Sequence, residues 1–113
     1  MIVGAGIVEI RIHGSRSLKQ KRGIVRSIAQ RVQNRFNISI AEVGGQGTWQ
    51  LAELGLCVVG SDRTRVRGQI ERALGFIEEL HLAEVMTSDV EILELPLASL
   101  GHEVEADWDD EET

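Results

Sequence analysis

Apolar and polar residues alternate over the first dozen positions of the chain, within residues 2–12. A period of two is typical of a β-strand that buries one face. We therefore predict an N-terminal strand with one better buried side. That side carries Ile2, Val8, Ile10 and Ile12, whereas Ile7, Glu9 and Arg11 lie on the other.

A helical period begins after a turn at residues 13–16. Ser17 followed three positions later by Gln20 fits a capping box, so we expect a helix to begin there. Gly23 inside this helix costs about 1 kcal/mol relative to alanine, and Asn37 ends the pattern. The apolar stripe of the helix consists of Leu18, Val25, Ile28, Ala29, Val32 and Phe36.

The rest of the pattern predicts three more strands and a second helix. Residues 44–48 are rich in glycine, which is typical of a hairpin loop. Ser61 or Asp62 caps the second helix, and Pro96 ends the last strand because proline cannot join an interior ladder. The strands are predicted at 38–43, 49–60 and 85–95, and the second helix has the stripe Val66, Ile70, Ala73, Leu74, Ile77 and Leu80.

The element order β-α-β-β-α-β predicts an α+β, ferredoxin-like sandwich. Two strand–helix–strand units with right-handed crossovers form one four-stranded antiparallel sheet with both helices on one face. The opposite face is half apolar, which is typical of an interface, so we predict a homodimer. This open face would carry Ile7, Glu9, Arg11, Trp49, Leu51, Glu53, Cys57 and Glu91.

Length and composition predict one domain with a tail. The 113 residues suffice for one domain, and 42% apolar with 27% charged residues exclude a fibrous repeat. We predict a ferredoxin-like domain at 1–96 and an acidic, disordered tail at 97–113, which is too poor in apolar residues to pack.

Several features predict a cytoplasmic protein without membrane contact. The apolar runs are far shorter than the roughly 20 residues that span a bilayer. The N-terminus lacks the basic segment of a secretory signal. The single cysteine, Cys57, suits a reducing compartment.

The net charge of −6 conceals a division along the chain. Residues 1–76 hold all 12 Lys and Arg residues and five acids, for a net charge of +7. Residues 77–113 hold the other 13 acids and neither Lys nor Arg. Such asymmetry is typical of nucleic-acid contact or of an acidic tail.

The basic residues are the strongest functional candidates. The first helix has six basic residues and no acid, with Lys19, Arg22 and Arg26 on one flank of its apolar stripe. Several phosphates could be neutralised there, although a solvated helical face is an equally simple interpretation. The candidate nucleic-acid-binding residues are Lys19, Lys21, Arg22, Arg26, Arg31, Arg35, Arg63 and Arg67.

The turn before the first helix is a second candidate. Free N–H groups at a helix N-terminus favour an anion, which Arg16 could hold. A hydrolase acting on phosphate esters or acyl phosphates at Ser15 and Arg16 is the minor alternative, and a simple capped turn is the main one. The candidate anion-binding residues are Gly14, Ser15, Arg16 and Ser17.

The remaining chemistry-bearing residues predict no site. Cys57 is expected to be a packed small side chain, and the three histidines lack metal-ligand spacing. Glu9, Glu53 and Glu91 share the open face with Arg11, which predicts a cross-strand ion pair. We therefore predict no catalytic residue, no metal and no cofactor.

Several segments together resemble the YlxP-like family of small bacterial proteins. The resemblance implies a compact βαββαβ domain in a bacterial cytoplasm. It implies no reaction, because the function of the family is unknown. Its genes often neighbour genes for translation initiation and ribosome maturation. The glycine-rich loop departs from the polar loop usual in the family. The segments that carry the resemblance are Gly14-Ser15-Arg16-Ser17-Leu18-Lys19, Lys21-Arg22, Arg35-Phe36-Asn37, Ala41-Glu42-Val43, Trp49-Gln50 and Ala52-Glu53-Leu54-Gly55.

The sequence thus predicts a non-catalytic binding protein that contacts RNA or a ribosomal particle through its basic helices. The alternative is a dimeric regulatory domain that binds a small molecule. Because few aromatic side chains are present, contact with the RNA backbone is favoured over the stacking of bases. The acidic tail is expected to compete with RNA for the basic surface, or to act only on solubility.

Overall fold

The computed structural model describes residues 1–45 and 47–96. Its six elements follow the predicted order. The predicted tail lies outside the described residues. The elements are β1 (Ile2–Arg11), α1 (Leu18–Arg35), β2 (Ser39–Gly44), β3 (Leu51–Gly60), α2 (Arg63–Leu80) and β4 (Glu84–Glu94).

The four strands form one antiparallel sheet in the order β2-β3-β1-β4. This order confirms the ferredoxin-like α+β fold. The β1 alternation is also as predicted, because Val8, Ile10 and Ile12 are buried and Ile7 is exposed. Among the described residues, no helix is both long and apolar enough to span a bilayer.

One helix approaches the sheet closely because the sheet carries glycine below it. A Cβ on Gly4 would lie 2.5 Å from Cγ1 of Val66, and one on Gly6 would lie 2.8 Å from Cγ2 of Ile70. Both of these α2 side chains are fully buried. Helix α2 therefore rests on the backbone of β1, and it also packs on β3 and β4, whereas α1 packs on β2.

The element boundaries differ from the prediction in the hairpin between β2 and β3. Trp49 was predicted in a strand on the open face, but β3 begins at Leu51 and Trp49 lies in the connection with its side chain exposed. Gln50 is instead tied to the end of β1: its carbonyl accepts the Ile12 N–H at 2.7 Å, and its Nε2 donates to the Ser15 carbonyl at 3.3 Å.

Candidate nucleic-acid interface

Helix α1 begins after Ser17, as the capping box predicts, but only the Ser17 half of that box forms, because Gln20 bonds Arg16 instead of Ser17. The Ser17 side chain accepts the Gln20 N–H at 3.1 Å, and Gln20 Oε1 accepts the Arg16 N–H at 2.6 Å. Every charge on the helix is positive, so its exposed side has no internal ion pair to neutralise it. Its buried side is formed by Lys21, Val25, Ile28 and Val32.

Three basic side chains share one exposed flank of α1. At 100° per residue, Lys19, Arg22 and Arg26 lie within about 60° of one another around the helix axis. All three are exposed, and no acid in the described part of the chain lies within 4 Å of them. We call Lys19, Arg22 and Arg26 the basic flank.

Lys21 does not belong to this surface, and its prediction as an RNA contact is wrong. Its side chain is 1% exposed. Its Nζ donates to the carbonyls of Gly45 at 2.6 Å and Leu51 at 3.1 Å and lies 3.2 Å from Oε2 of Glu42. The ammonium group is thus surrounded by three protein oxygens, and it joins α1 to the hairpin between β2 and β3.

The glycine-rich loop makes this contact possible. Gly45 has a φ of 76°, in the left-handed region that favours glycine. A Cβ at this position would lie 2.9 Å from the Leu51 carbonyl oxygen. The loop therefore brings two carbonyl groups to one lysine, a structural role that its composition alone did not predict.

The opposite flank of α1 faces α2. Arg35 lies over the ring of Phe76 in α2, at 5.0 Å from the ring centroid, and Phe36 meets Phe76 edge to face at 5.6 Å. Arg31, on the same flank, donates from Nε to the Ser27 hydroxyl at 3.2 Å. The basic flank therefore points away from α2.

The two predicted residues on α2 are not brought together with the basic flank. Arg63 lies 3.4 Å from Glu94, and Arg67 lies 3.8 Å from Glu71. Both stand on the side of α2 opposite to Phe76 and therefore face away from α1.

Two other α2 arginines stand on the side that faces α1. Arg65 and Arg72 share the stripe of Phe76 and border an open groove of about 460 Å³ with Gln69 and Ser61. The residues predicted to contact RNA include neither of these arginines. Helical spacing separates them from Arg63 and Arg67, but only the packing of Phe76 shows which pair faces α1.

The turn at 14–17 is a tightly bonded cap. Ser15 is buried and its hydroxyl donates to the Ser17 carbonyl at 3.2 Å. Gly14 has a φ of 79°, which explains the glycine at this position. The Ser15 O–H and the Arg16 N–H are donated within the turn, so these two donors are not presented to an anion. The Ser17 Oγ only accepts, from the Gln20 N–H, and its own O–H stays a candidate donor.

The open sheet face has an apolar half near the start of β1. Val3 pairs with Val59 on one side and with Leu93 on the other. Val59 is 61% exposed, Leu93 54% and Ile7 41%. We call Val3, Ile7, Val59 and Leu93 the apolar half.

The other half of this face is acidic. Glu9 and Glu53 are direct register partners, and Asp89 stands beside Ile7. The predicted cross-strand ion pair is wrong, because in the described residues no carboxylate lies within 4 Å of the Arg11 guanidinium. The sheet face therefore repels phosphate, whereas the basic flank lies on the helix side.

Cys57 is exposed on the open face, so its prediction as a packed side chain is wrong. It pairs with Ala5 and Ser39, whose side chains are too small to cover it. His13 Nε2 lies 2.6 Å from Glu84 Oε1. Within residues 1–45 and 47–96, no group of three or more potential ligands is arranged to hold a metal.

Comparison with known proteins places this chain among proteins of unknown function. The family described as "Protein of unknown function (DUF503)" matches residues 3–90. The uncharacterized protein YlxP of Bacillus subtilis (strain 168) is 40% identical over 77 residues, which cover 68% of this chain and 84% of YlxP.

Two solved structures are similar to this chain at low sequence identity. The de novo designed protein Foldit4 is 14% identical with a TM-score of 0.49, over 85% of this chain and 100% of Foldit4. The Arabidopsis thaliana protein At3g17210 is 12% identical with a TM-score of 0.47, over 83% of this chain and 95% of its own. The family match and the YlxP identity carry the assignment: the chain belongs to the DUF503 family of proteins of unknown function.

Proposed function

We propose that this protein is a non-catalytic RNA-binding protein. It contacts the phosphate backbone of RNA, free or exposed on a ribosomal particle, through the basic flank of α1. The observation that carries this proposal is that Lys19, Arg22 and Arg26 are exposed together without an acid within 4 Å in the described residues. Arg63 and Arg67, in contrast, have carboxylate partners.

The separation of charge between the two faces supports one orientation on RNA. The helix side presents the basic flank, and Arg65 and Arg72 add positive charge beside α1. The sheet side presents Glu9, Glu53, Asp89 and Glu91. Phosphate is therefore attracted to the helices and repelled by the sheet.

Replacing Arg22 and Arg26 together with glutamine is expected to weaken RNA binding and to lower its salt dependence. Each lost phosphate contact reduces the slope of log K against log salt by about one unit, so the pair reduces it by about two. Binding of a structured RNA hairpin is measured by fluorescence anisotropy over a salt series. The same variants are also compared for their co-sedimentation with ribosomal subunits at low salt.

The matched control is Arg63→Gln with Arg67→Gln, which changes the same number of exposed arginines on the far side of α2. This variant should keep the slope of the unaltered protein. Equal losses in both variants would indicate that total charge, not the basic flank, drives binding. Binding that does not change with salt would favour the small-molecule alternative.

We also propose that the protein forms a homodimer through the apolar half of the open face. Val59 and Leu93 expose large apolar side chains on either side of Val3, and Ile7 is exposed two rows further along β1 on the same face. A second copy rotated by a two-fold axis would cover this patch with the same patch. Glu9 and Glu53 lie toward the opposite end of β1 and can remain in solvent, whereas Glu91, beside Ala5, and Asp89, beside Ile7, border the patch.

Replacing Val59 and Leu93 with lysine is expected to yield a monomer, because both charges would be buried in the interface. Sedimentation equilibrium at tens of micromolar, a range suited to weak association, provides the measurement. Met86→Lys is the control, since Met86 is exposed at the β4 bulge outside the apolar half. The Cys57 thiol should also react more slowly with Ellman's reagent in the dimer. An unaltered protein that sediments as a monomer would contradict the proposal.

A further inference from the structure

An open groove of about 510 Å³ runs beside the first turns of α1. Lys19 lines it and also belongs to the basic flank, so the groove and the flank adjoin. The turn after β1 contributes to its wall through His13. We call this cavity the α1 groove, and its lining includes His13, Lys19, Gln20, Gly23 and Ile24.

Gly23 leaves part of the α1 groove without a side chain. It lies about 40° from Lys19 and about 60° from Gln20 around the helix axis. Apart from its chain neighbours and the backbone of its own helix, nothing lies within 4 Å of a Cβ at this position. The fold therefore does not require glycine here, although glycine is among the poorest helix formers. The absence of a side chain instead favours the close approach of a ligand to the helix backbone.

The α1 groove combines apolar surface with polar groups. Ile24 is half-buried and packs against the core. The exposed His13 ring is oriented by Glu84, whose Oε1 lies 2.6 Å from its Nε2. Gln20 Oε1 accepts the Arg16 N–H at 2.6 Å, so the Nε2 amide is the end of this side chain that is left to donate. An apolar surface, an aromatic ring and an amide donor thus lie next to a basic side chain.

An unpaired nucleotide of RNA has the matching chemistry. The faces of its base stack on rings such as imidazole, and its edge accepts hydrogen bonds. Its phosphate supplies a negative charge for Lys19, which has no acid within 4 Å in the described residues. We propose that the α1 groove holds one unpaired base of an RNA whose backbone lies along the basic flank. One base in one groove does not need the row of aromatic side chains of a single-strand platform.

This inference rests on the proposed function and adds the class of RNA that the protein prefers. The bases of a continuous A-form duplex are paired, and its major groove is too narrow for side chains to enter. A bulge or a loop instead presents a base that the α1 groove can receive. The protein should therefore bind RNA with an unpaired nucleotide more tightly than a fully paired duplex.

Three RNAs that differ at one nucleotide test this preference in the full-length protein. The first is a fully paired duplex, the second is the same duplex with one bulged adenosine, and the third has an abasic nucleotide at the bulge. Fluorescence anisotropy at one salt concentration measures the three affinities. The bulged adenosine should bind about tenfold more tightly than the other two, the order of magnitude for the stacking of one base. Because the abasic RNA keeps the bulged phosphate and the distortion of the duplex, this difference reports the base alone.

Filling the α1 groove should remove the preference. Gly23→Leu places a side chain where the base would lie, so all three RNAs should bind with the same affinity. The salt slope should not change, because no charge is altered. Leucine has open space at this position and a better helix propensity, so the midpoint of thermal unfolding should not fall. Gly75→Leu is the matched control, since Gly75 in α2 is equally free of neighbouring atoms but outside the groove, and it should keep the tenfold preference.

The outcomes separate the α1 groove from the basic flank. Arg22→Gln with Arg26→Gln should weaken the binding of all three RNAs and keep the ratio between them. Equal affinities of the unaltered protein for the adenosine and abasic bulges would overturn the role of the groove and leave backbone binding intact. A preference that survives Gly23→Leu would also overturn it, since the base would then bind elsewhere. If none of the three RNAs binds, the proposed function itself fails, and this inference fails with it.

Discussion

Replacing Lys21 with methionine is expected to lower the free energy of unfolding by about 3 kcal/mol. The substitution removes the positive charge from a side chain that is 1% exposed. It leaves the Glu42 carboxylate and the carbonyls of Gly45 and Leu51 without their shared partner. Methionine fills most of the volume, so the loss reports the ammonium contacts and not a cavity. Urea denaturation followed by circular dichroism provides the measurement.

Lys19→Met is the matched control, since Lys19 is an exposed lysine on the same helix. Its effect should stay within about 0.5 kcal/mol. Adding Glu42→Leu to Lys21→Met should restore part of the stability, because the double variant no longer contains an unpaired carboxylate. A Lys21→Met protein as stable as the Lys19→Met protein would contradict the buried three-oxygen contact.

Gly4→Ala is expected to destabilise the fold by about 2 kcal/mol. Its new methyl group would lie 2.5 Å from Val66 Cγ1 and 3.4 Å from both Ile70 Cγ1 and Val58 Cγ1. Val66 is 1% exposed, so it cannot turn into solvent to make room. Helix α2 must therefore move away from β1, and the packing of its buried face is weakened. Thermal unfolding of the variant is the measurement.

Gly23→Ala is the same substitution at another position, and we expect it to stabilise the protein instead. Apart from its chain neighbours and the backbone of its own helix, nothing lies within 4 Å of a Cβ at Gly23, which is exposed in α1. Alanine should stabilise this helix by about 1 kcal/mol through its better helix propensity. Combining Gly4→Ala with Val66→Ala should recover part of the loss at Gly4. Equal effects at Gly4 and Gly23 would mean that backbone freedom, not the α2 contact, determines both.

Local patterns predicted the elements wherever a short-range interaction decides the structure. The Ser17 cap was recognised, and the second cap was narrowed to Ser61 or Asp62, because a capping side chain accepts a backbone N–H only two or three residues away. The structure selects Asp62. The start of β3 was predicted two residues too early, because Trp49 and Gln50 have strand-like neighbours in the sequence. Gln50 is instead held by Ile12 and Ser15, which are more than 30 residues away.

The candidate site was predicted only in part, for a related reason. Helical spacing alone placed Lys19, Arg22 and Arg26 on one flank. Lys21 was predicted as an RNA contact because of its charge, although helical spacing puts it on the same side as Val25 and Ile28. Three oxygens contributed by residues 42, 45 and 51 reverse this expectation, because they replace the hydration of the ammonium group inside the protein.

The sequence by itself determined the order of the elements, the buried face of β1, the segregation of charge along the chain and the acid-free character of α1. These properties depend on periodicity and composition, which are local and can be recognised from short stretches of sequence. Only the tertiary structure decided which arginines stand together. Phe76 against Phe36 and Arg35 sets the rotation of the two helices about their axes, and this rotation directs Arg22 and Arg26 outward and separates them from Arg63 and Arg67. Periodicity defines the angles between side chains on one helix. The contact between two helices defines how each helix is rotated about its axis, and therefore the direction in which each side chain points.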